Sequence, residues 1–280
     1  MSTVNPANPT WRPTTLAAPY AGLRDEHDLA RLSYFDSLAC LGELSLHCGG
    51  IANTGELLCA AEVGGGTRVL EIGCGTGATT RAMVRAGLDV TAIDPLPRMI
   101  ATMQRNCLMH AGRMPENHVA SAESMPMFAA ASFDVVLLEC VFGFIPDKAA
   151  AISEMYRVLK PGGRVAITDF NYIKAPSDNL KARLAEEFDL REILTRADWE
   201  KYFSAFELQS WEETPMGNGG ITPDSIRMML EDAKLDKALP GGALGVHTLA
   251  KRFRAWDDVF DENRTCMAGH NAIWRKPIPA

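Results

Sequence analysis

The stretch VLEIGCGTGATT, residues 69–80, places three glycines directly after an apolar run that is typical of a buried strand. Gly73, Gly75 and Gly77 are each separated from the next by one residue. Glycine adopts backbone conformations with positive φ and lets the main chain come very close to another group. The stretch therefore predicts a tight strand–turn–helix connection, with some other group pressed against the turn.

From residue 68 onwards, short apolar strands alternate with helices. The predicted strands lie at 68–72, 89–94, 118–122, 133–140, 164–170, 206–214 and 268–276, and the predicted helices between them at 78–86, 97–111, 147–160 and 177–205. The sequence KPGG, residues 160–163, predicts a turn. Strands that alternate with helices form parallel βαβ units. The chain is therefore predicted to be an α/β protein with a doubly wound, mostly parallel, seven-stranded sheet.

The remaining sequence divides into regions of different character. Residues 1–20 contain four prolines and predict an extended tail, and residues 21–64 carry helical spacing and predict an N-terminal helical lid. The core is predicted at 65–216 plus 264–280. Between these two parts, residues 217–263 predict a helical insert, or cap, with helices at 222–235 and 246–262.

The net charge and the cysteine content argue against several classes of function. The chain has 28 basic and 35 acidic residues, a net charge of −7. An acidic surface does not steer polyanions, so neither nucleic acid nor a membrane is expected as a partner. No apolar run approaches the ~20 residues of a membrane helix, and no signal peptide is evident. Seven cysteines without a C-x-x-C pair predict reduced thiols in a cytoplasmic protein and no metal site.

The segment GCGTGA, residues 73–78, also fits the dinucleotide-binding pattern G-x-G-x-x-G/A. Asp94, at the end of the next predicted strand, is the acidic residue that a nicotinamide or flavin enzyme places near the ribose. Glu71 argues against that interpretation, because a carboxylate repels a pyrophosphate group in a low-dielectric turn. It is compatible with a cationic or neutral ligand that carries hydroxyls and amines.

Four stretches in a fixed order point to a known family. They are VLEIGCGTG (69–77), VTAID (90–94), SAESMPM (121–127), and SFDVVLLECVFGFIPD (132–147) followed by AISEMYRVLKPGGRVAITDF (151–170). Through them the chain resembles the class I S-adenosylmethionine-dependent methyltransferases over about residues 65–175. The resemblance implies a Rossmann-like fold, S-adenosyl-L-methionine as the cofactor, and methyl transfer by in-line displacement, with catalysis mainly by proximity.

The resemblance also implies a set of cofactor-binding residues. They are Glu71, Gly73, Cys74, Gly75, Gly77, Asp94, Ser121, Ala122, Glu123 and Glu139. Asp94 would accept hydrogen bonds from both ribose hydroxyls, and the alternative is an N-cap for the helix that begins near Pro97. The family commonly has D-A-E where this chain has residues 121–123, so Ser121 offers the adenine a hydroxyl in place of a carboxylate.

The candidate catalytic residues are His47, Glu139 and Tyr34, because an oxygen or protonated amine acceptor requires a general base. Residues 139–142, ECVF, replace the PPY-type tetrapeptide of DNA- and glutamine-directed relatives, which argues against bases flipped from nucleic acid. In the insert, His247 and Arg252 are further candidates, whereas Phe253, Trp256 and Phe260 are interpreted as a packed helix face.

The acidic surface and the insert favour a small-molecule acceptor, with N-, O- and S-methylation left open. A metalloid acceptor would need paired thiols, which requires a fold that brings Cys40, Cys48 or Cys140 together. Two alternatives remain at this point. The chain could be a non-catalytic relative that binds S-adenosylmethionine, or a nicotinamide-dependent oxidoreductase. The sequence does not predict the oligomeric state.

Overall fold

The computed structural model describes residues 20–42, 47–214 and 239–279, and this part of the chain forms a seven-stranded sheet. The strands are β1 Arg68–Ile72, β2 Asp89–Asp94, β3 Glu116–Val119, β4 Phe133–Glu139, β5 Leu159–Tyr172, β6 Glu207–Thr214 and β7 Met267–Arg275. Their order across the sheet is β3-β2-β1-β4-β5-β7-β6, in which β7 runs antiparallel to both of its neighbours and the other pairs are parallel. The predicted fold class is confirmed.

Helices flank this sheet and also precede it. They are α1 Glu26–Ala30, α2 Tyr34–Leu41, α3 Gly50–Ala60, α4 Ala78–Arg85, α5 Pro97–Ala111, α6 Lys148–Val158, α7 Asp178–Phe188, α8 Arg196–Tyr202 and α9 Ala243–Arg264. Local chemistry fixes several of their starts. The side chains of Asp25, Ser33 and Ser177 accept hydrogen bonds from first-turn amides of α1, α2 and α7, which satisfies donors that have no partner within the helix.

Three predicted elements differ in detail from the structure. The strand predicted at 118–122 is β3, which begins and ends earlier, at Glu116–Val119. The predicted helix 177–205 is two helices, because the chain breaks at Asp189, whose φ of 56° is left-handed. The predicted KPGG turn lies within β5, where the pairing with β4 shifts register between Phe133 and Val135. Such a shift accommodates extra residues in one strand without ending the ladder.

The parallel strands at the centre of the sheet are covered on both faces. Residues 135–138 of β4 and 165–167 of β5 are buried almost completely. Near-continuous apolar strands of this kind are typical of parallel sheets with helices on both sides. The chain order reverses between β1 and β4, so the carboxyl ends of these two strands border the crevice where ligands of doubly wound sheets bind.

A second hydrophobic cluster joins the N-terminal helices to the end of the chain. It contains buried residues of α1, α2, α7 and α9, among them Leu29, Leu38, Leu184 and Phe253. Arg252 on α9 donates hydrogen bonds to the carbonyl oxygens of Ala30 and Leu32, which ties α9 to the turn after α1. The parts of the predicted lid and insert that the structure describes therefore pack against each other over one end of the sheet.

Some predictions fall on residues that the structure does not describe. These are most of the predicted tail, as residues 1–19, part of the lid at 43–46, and part of the insert at 215–238, including the predicted helix 222–235. The boundaries of the four regions stay predictions. Within the described ranges, none of the helices combines the length and the apolar character needed to cross a membrane.

Candidate active site

A cavity of about 410 Å³ opens at the carboxyl ends of β1, β2 and β4. It brings together most of the residues that the sequence pointed to, although they come from distant parts of the chain. The predicted residues that line it are His47, Glu71, Gly73, Cys74, Gly75, Asp94, Ser121, Ala122, Glu123 and Glu139. Of the other predicted site residues, Gly77 and Tyr34 do not belong to the described cavity wall.

The three glycines of the glycine turn (Gly73–Gly77) all have left-handed backbone conformations, with φ of 72°, 51° and 86°. A Cβ on Gly73 would lie 2.4 Å from Val141 Cγ2, and a Cβ on Gly77 would lie 2.4 Å from Met103 Cγ. A Cβ on Gly75 would meet no protein atom within 4 Å. Two of the glycines are thus required by contacts within the protein, and Gly75 leaves the open side of the turn free for a ligand.

The glycine turn is held to the neighbouring strand by its backbone. The amides of Gly73 and Cys74 both donate to the carbonyl oxygen of Ile93, at 2.8 and 3.0 Å. The amide of Gly75 donates to Asp94 Oδ2 at 3.0 Å. Because each bond ends on β2, the shape of the turn is set by the sheet itself.

Asp94 is buried at the end of β2. Its Oδ1 accepts a hydrogen bond from the Leu96 amide at 2.9 Å, in addition to the bond from Gly75 to Oδ2. The N-cap of α5 is Leu96, so the alternative that Asp94 caps this helix is wrong. Burial raises the pKa of Asp94 to about 6, against the opposing effect of its two backbone hydrogen bonds.

Glu71 lies at the base of the cavity and is almost fully buried. Its Oε2 accepts a hydrogen bond of 2.6 Å from the hydroxyl of Thr80 on α4. Burial raises the pKa of Glu71 to about 8, and the nearby carboxylates of Glu139 and Asp94 contribute to the rise. At neutral pH the Glu71 carboxyl is therefore protonated in the free protein. A cationic ligand beside it would favour the ionised form, because the low local dielectric strengthens the interaction between opposite charges.

Glu139 ends β4 and stands between two threonines and a histidine. Thr54 Oγ1 donates to Glu139 Oε1 at 2.7 Å, and Thr79 Oγ1 donates to Oε2 at 2.6 Å. His47 Nδ1 lies 3.6 Å from Glu139 Oε1, and both side chains are only 7% exposed. The sequence proposed His47 and Glu139 separately as candidates, and the structure places them in contact distance as a pair.

Residues 121–123 follow β3 and form another side of the cavity. Ala122 is buried, whereas Ser121 and Glu123 are half-buried. They stand near the carboxyl end of β2, because the Ala120 amide donates to the carbonyl oxygen of Asp94 at 3.1 Å. This position is next to the carboxylate that the sequence assigned to the ribose.

The rest of the cavity is lined by large apolar side chains. Phe35, Leu38, Phe144 and Phe188, here called the apolar wall, come from α2, from the short 3-10 turn Phe142–Phe144 and from α7. The rings of Phe35 and Phe144 meet edge to face at 5.1 Å. The sequence analysis did not identify Phe144 or Phe188 as site residues, because nothing in their local sequence distinguishes them from ordinary core residues.

Tyr34 lies in the aromatic cluster behind the apolar wall. Its ring packs against those of Phe188 and Trp256 at 4.9 and 5.1 Å, and the residue is buried. Burial raises the pKa of its phenol far above the ordinary value, so the hydroxyl stays protonated. Phe253 and Trp256 are also buried here, which confirms that this face of α9 is packed.

Asp169 supports the site from behind the cavity wall and was not predicted from the sequence. It is fully buried at the carboxyl end of β5 and accepts hydrogen bonds from the amides of Val141, Phe142 and Phe170 at 2.8–3.1 Å. Burial raises its pKa to about 7. By holding the backbone just after Glu139, Asp169 fixes the loop whose residues 140–141 and 144–146 line the cavity. A carboxylate two residues after the apolar run VAI at 165–167, near the end of a predicted strand, is the signal that could have found it.

The candidates His247 and Arg252, and also His270 on β7, lie away from the cavity. His270 is buried between Trp199 and Trp211, and burial lowers its pKa to about 3, so it is neutral. His247 is exposed on α9, and Arg252 holds the turn after α1 as described above. Among the described residues, no group of three or more metal-ligating side chains is present.

Comparisons with known proteins agree with this geometry. The sequence matches the family described as "Methyltransferase domain" over residues 70–167. A ubiquinone biosynthesis O-methyltransferase of Xanthomonas oryzae pv. oryzae is 30% identical over 187 residues, which cover 66% of this chain and 75% of that protein. Another, from Pseudomonas aeruginosa, is 32% identical over 150 residues, or 52% of this chain and 62% of that protein.

A solved structure shows the same fold. The phosphoethanolamine N-methyltransferase 2 of Haemonchus contortus, in complex with S-adenosyl-L-methionine, has a TM-score of 0.65 at 20% identity. The match covers 91% of this chain and 61% of that chain. None of these relatives is an oxidoreductase, so the nicotinamide alternative has no support. The motifs, the sheet order and the relatives lead to one conclusion, that this chain belongs to the class I S-adenosylmethionine-dependent methyltransferases.

Proposed function

We propose that this methyltransferase transfers the methyl group of S-adenosylmethionine to a hydroxyl oxygen of a small, largely apolar acceptor. The pairing of His47 with Glu139 at the cavity wall is the observation that carries the proposal. A neutral hydroxyl is a weak nucleophile until it loses its proton, so its methylation benefits from a positioned general base. An imidazole backed by a carboxylate provides such a base.

The cofactor is placed on the glycine turn in this proposal. The open side of Gly75 gives room for a ligand close to the backbone, and the carboxylates of Asp94 and Glu139 supply negative charge that suits a sulfonium ion. Asp94 accepts hydrogen bonds from the ribose hydroxyls, and residues 121–123 border the adenine. When bound, S-adenosylmethionine supplies an activated methyl group on its sulfonium centre.

His47 takes the proton of the acceptor hydroxyl in the proposed reaction. Glu139 Oε1, 3.6 Å from His47 Nδ1, stabilises the imidazolium that forms. Thr54 and Thr79 each donate to one oxygen of Glu139, which keeps the carboxylate in a single orientation towards the imidazole. Holding the acceptor in line with the methyl group can contribute a further ~7–11 kcal/mol to lowering the barrier.

The apolar wall supports an acceptor with a hydrophobic body. Its three phenylalanine rings offer flat surfaces on which an aromatic acceptor can pack edge to face or in offset stacks. The names of the Xanthomonas and Pseudomonas relatives, ubiquinone biosynthesis O-methyltransferases, support oxygen as the accepting atom. Tyr34 has no direct role in the proposal, because it lies behind the wall.

The test measures release of S-adenosylhomocysteine with three acceptors, a catechol, an alkyl amine and an alkyl thiol. We expect turnover of the catechol and not of the other two. The variant His47→Gln should lower kcat for the catechol by about 10²–10⁴-fold, the usual contribution of a general base, with unchanged affinity for S-adenosylhomocysteine. The variant His110→Gln, at an exposed position on α5, is the matched control and should keep the wild-type rate.

Phenols that are already ionised at the assay pH sharpen the test. Ionised phenols need no base, so the His47→Gln variant should methylate a nitro-substituted catechol at close to the wild-type rate. Turnover confined to the amine or the thiol would exclude the proposal. Wild-type rates of His47→Gln with the unsubstituted catechol would exclude His47 as the base.

A further inference from the structure

Two cysteine thiols meet beside the site, one on each segment that carries the proposed base pair. Cys48 directly follows His47, and Cys140 directly follows Glu139. Cys48 Sγ and the Cys140 backbone contact the neighbouring residues Asp169 and Thr168 of β5, and each thiol shifts the pKa of the other. Cys140 lines the cavity. Both are reduced in the structure. The fold therefore brings together two of the three cysteines that the sequence analysis considered as a thiol pair.

Both cysteines are anchored at the end of β5. Cys48 Sγ lies 3.8 Å from the carbonyl oxygen of Asp169, and the Cys140 amide donates to the carbonyl oxygen of Thr168 at 2.8 Å. Cys140 has a φ of 54°, a left-handed conformation that is uncommon for a non-glycine residue. Strained backbone of this kind persists only where the surrounding structure holds it, and it clusters at functional sites.

The two thiols differ in chemical character. The hydrogen bond from Cys140 lowers the pKa of Cys48, which favours its thiolate. The same contact, together with burial, raises the pKa of Cys140, which keeps this thiol protonated. A thiol of lowered pKa beside a protonated thiol is the arrangement of an attacking cysteine and its resolving partner.

We propose that Cys48 and Cys140 form an oxidation site, at which hydrogen peroxide produces a reversible disulfide that switches methyl transfer off. The Cys48 thiolate attacks one peroxide oxygen, so that an S–O bond forms, the O–O bond breaks and hydroxide leaves. The sulfur of Cys140 then attacks the sulfenic acid on Cys48. An S–S bond forms, the S–O bond breaks, and the leaving hydroxide takes the Cys140 proton as water. The thiols lose two electrons, and the peroxide gains them.

The effect on activity follows from the positions of His47 and Glu139, and this step rests on the proposed function. The sulfur atoms of Cys48 and Cys140 must approach to about 2.05 Å to form a disulfide. The segment that carries His47 and the segment that carries Glu139 therefore shift relative to each other. Misplacement of a reacting group by 1 Å can cost about 10²-fold in rate. The amides of the glycine turn bond to the end of β2, so the part of the cofactor site that the turn and Asp94 form is retained, whereas Glu139 moves with Cys140.

The experiment treats the full-length protein with a few equivalents of hydrogen peroxide. Peptide mapping without reductant should show a cross-linked peptide pair containing Cys48 and Cys140. Methyl transfer should fall by about tenfold or more and return with dithiothreitol, while the oxidised protein still binds S-adenosylhomocysteine. Absence of the cross-link would overturn the proposal, and so would a cross-link that leaves the rate unchanged.

Serine variants identify the responsible thiols. For each variant, the rate of methyl transfer is measured before and after treatment with peroxide. Cys48→Ser and Cys140→Ser should lose the peroxide response, and either variant alone is sufficient for the test. Cys59→Ser, at an exposed position on α3, should respond like the wild type. The peptide map does not depend on the acceptor, so the two proposals can fail separately. If the enzyme methylates only amines, the hydroxyl proposal is excluded. A cross-link between Cys48 and Cys140 in the same enzyme would still support the oxidation site.

Discussion

The glycine turn and the apolar wall lie on opposite sides of one cavity, and the chain builds them in different ways. The glycine turn is one continuous segment whose amides bond to the end of β2. The apolar wall collects side chains from α2, α7 and the 3-10 turn after β4, and contacts between their rings hold it together. Backbone geometry therefore sets the proposed cofactor side, whereas side-chain packing sets the proposed acceptor side. A few substitutions could change the acceptor side without altering the turn.

The largest expected effect is on the stability of the apolar wall. Phe188 is buried and packs against Tyr34 and Phe260, with ring centroids 4.9 and 4.4 Å away. Phe188→Ala should lower the free energy of unfolding by about 3–5 kcal/mol, because it removes buried area and leaves a cavity. Denaturant titration measures this change.

The matched control for Phe188 is Ile173→Ala at an exposed position, which should change the free energy of unfolding by less than about 0.5 kcal/mol. Folded Phe188→Ala should still bind S-adenosylhomocysteine with wild-type affinity. A loss of that affinity would show that the two sides of the cavity are not independent.

The next largest effect is on cofactor affinity at the glycine turn. Asp94→Asn removes the charge that we assign to the ribose hydroxyls, and hydrogen bonds to charged groups are worth about 1.5–3 kcal/mol. We expect the affinity for S-adenosylhomocysteine to fall by this amount in calorimetric titration. Asp89→Asn, at the exposed opposite end of β2, is the control and should bind normally. Equal affinities of the two variants would mean that the ribose lies elsewhere.

The proposed cofactor side could be predicted from the sequence because it depends on particular residue types that lie close together in the sequence. Glycines at 73, 75 and 77 mark left-handed backbone, and Asp94 ends the next strand. Parallel strands bring their carboxyl ends to one edge, so these residues meet without further information. Even here the sequence could not separate the roles of the glycines, since those depend on Val141 and Met103 packing against two of them.

The apolar wall could not be predicted, because apolar residues that line a cavity resemble those that fill a core. Phe188 ends α7, and its position depends on the helix break at Asp189, which fell inside one long predicted helix. Tyr34 and Phe35 are neighbours on α2, where most residues are buried, so periodicity does not reveal the inward face. Phe35 lines the cavity and Tyr34 does not, a distinction that only the packed structure provides.

A smaller effect is the dependence of cofactor affinity on pH. Burial raises the pKa of Asp94 to about 6, so the free protein ionises this group between pH 5 and 7. The ionised form is the better acceptor for ribose hydroxyls, and affinity should therefore fall as the pH drops through 6. From pH 7 to pH 5 the expected loss is about tenfold, or ~1.4 kcal/mol. Asp94→Asn should show no such loss, and a parallel decline in both proteins would assign the effect to another group.

The smallest expected effect separates the two roles of glycine in the turn. Gly75 and Gly87 both have positive φ, and a Cβ on either would meet no atom within 4 Å. Alanine at each position should lower the free energy of unfolding by a similar amount, about 1–2 kcal/mol, because a side chain disfavours left-handed backbone. Only Gly75 lines the cavity, so only Gly75→Ala should also weaken S-adenosylhomocysteine binding, by about fivefold or ~1 kcal/mol. Equal binding by the two variants would show that the open side of Gly75 is not where the cofactor approaches, and the glycine turn would then be as purely structural as the end of α4.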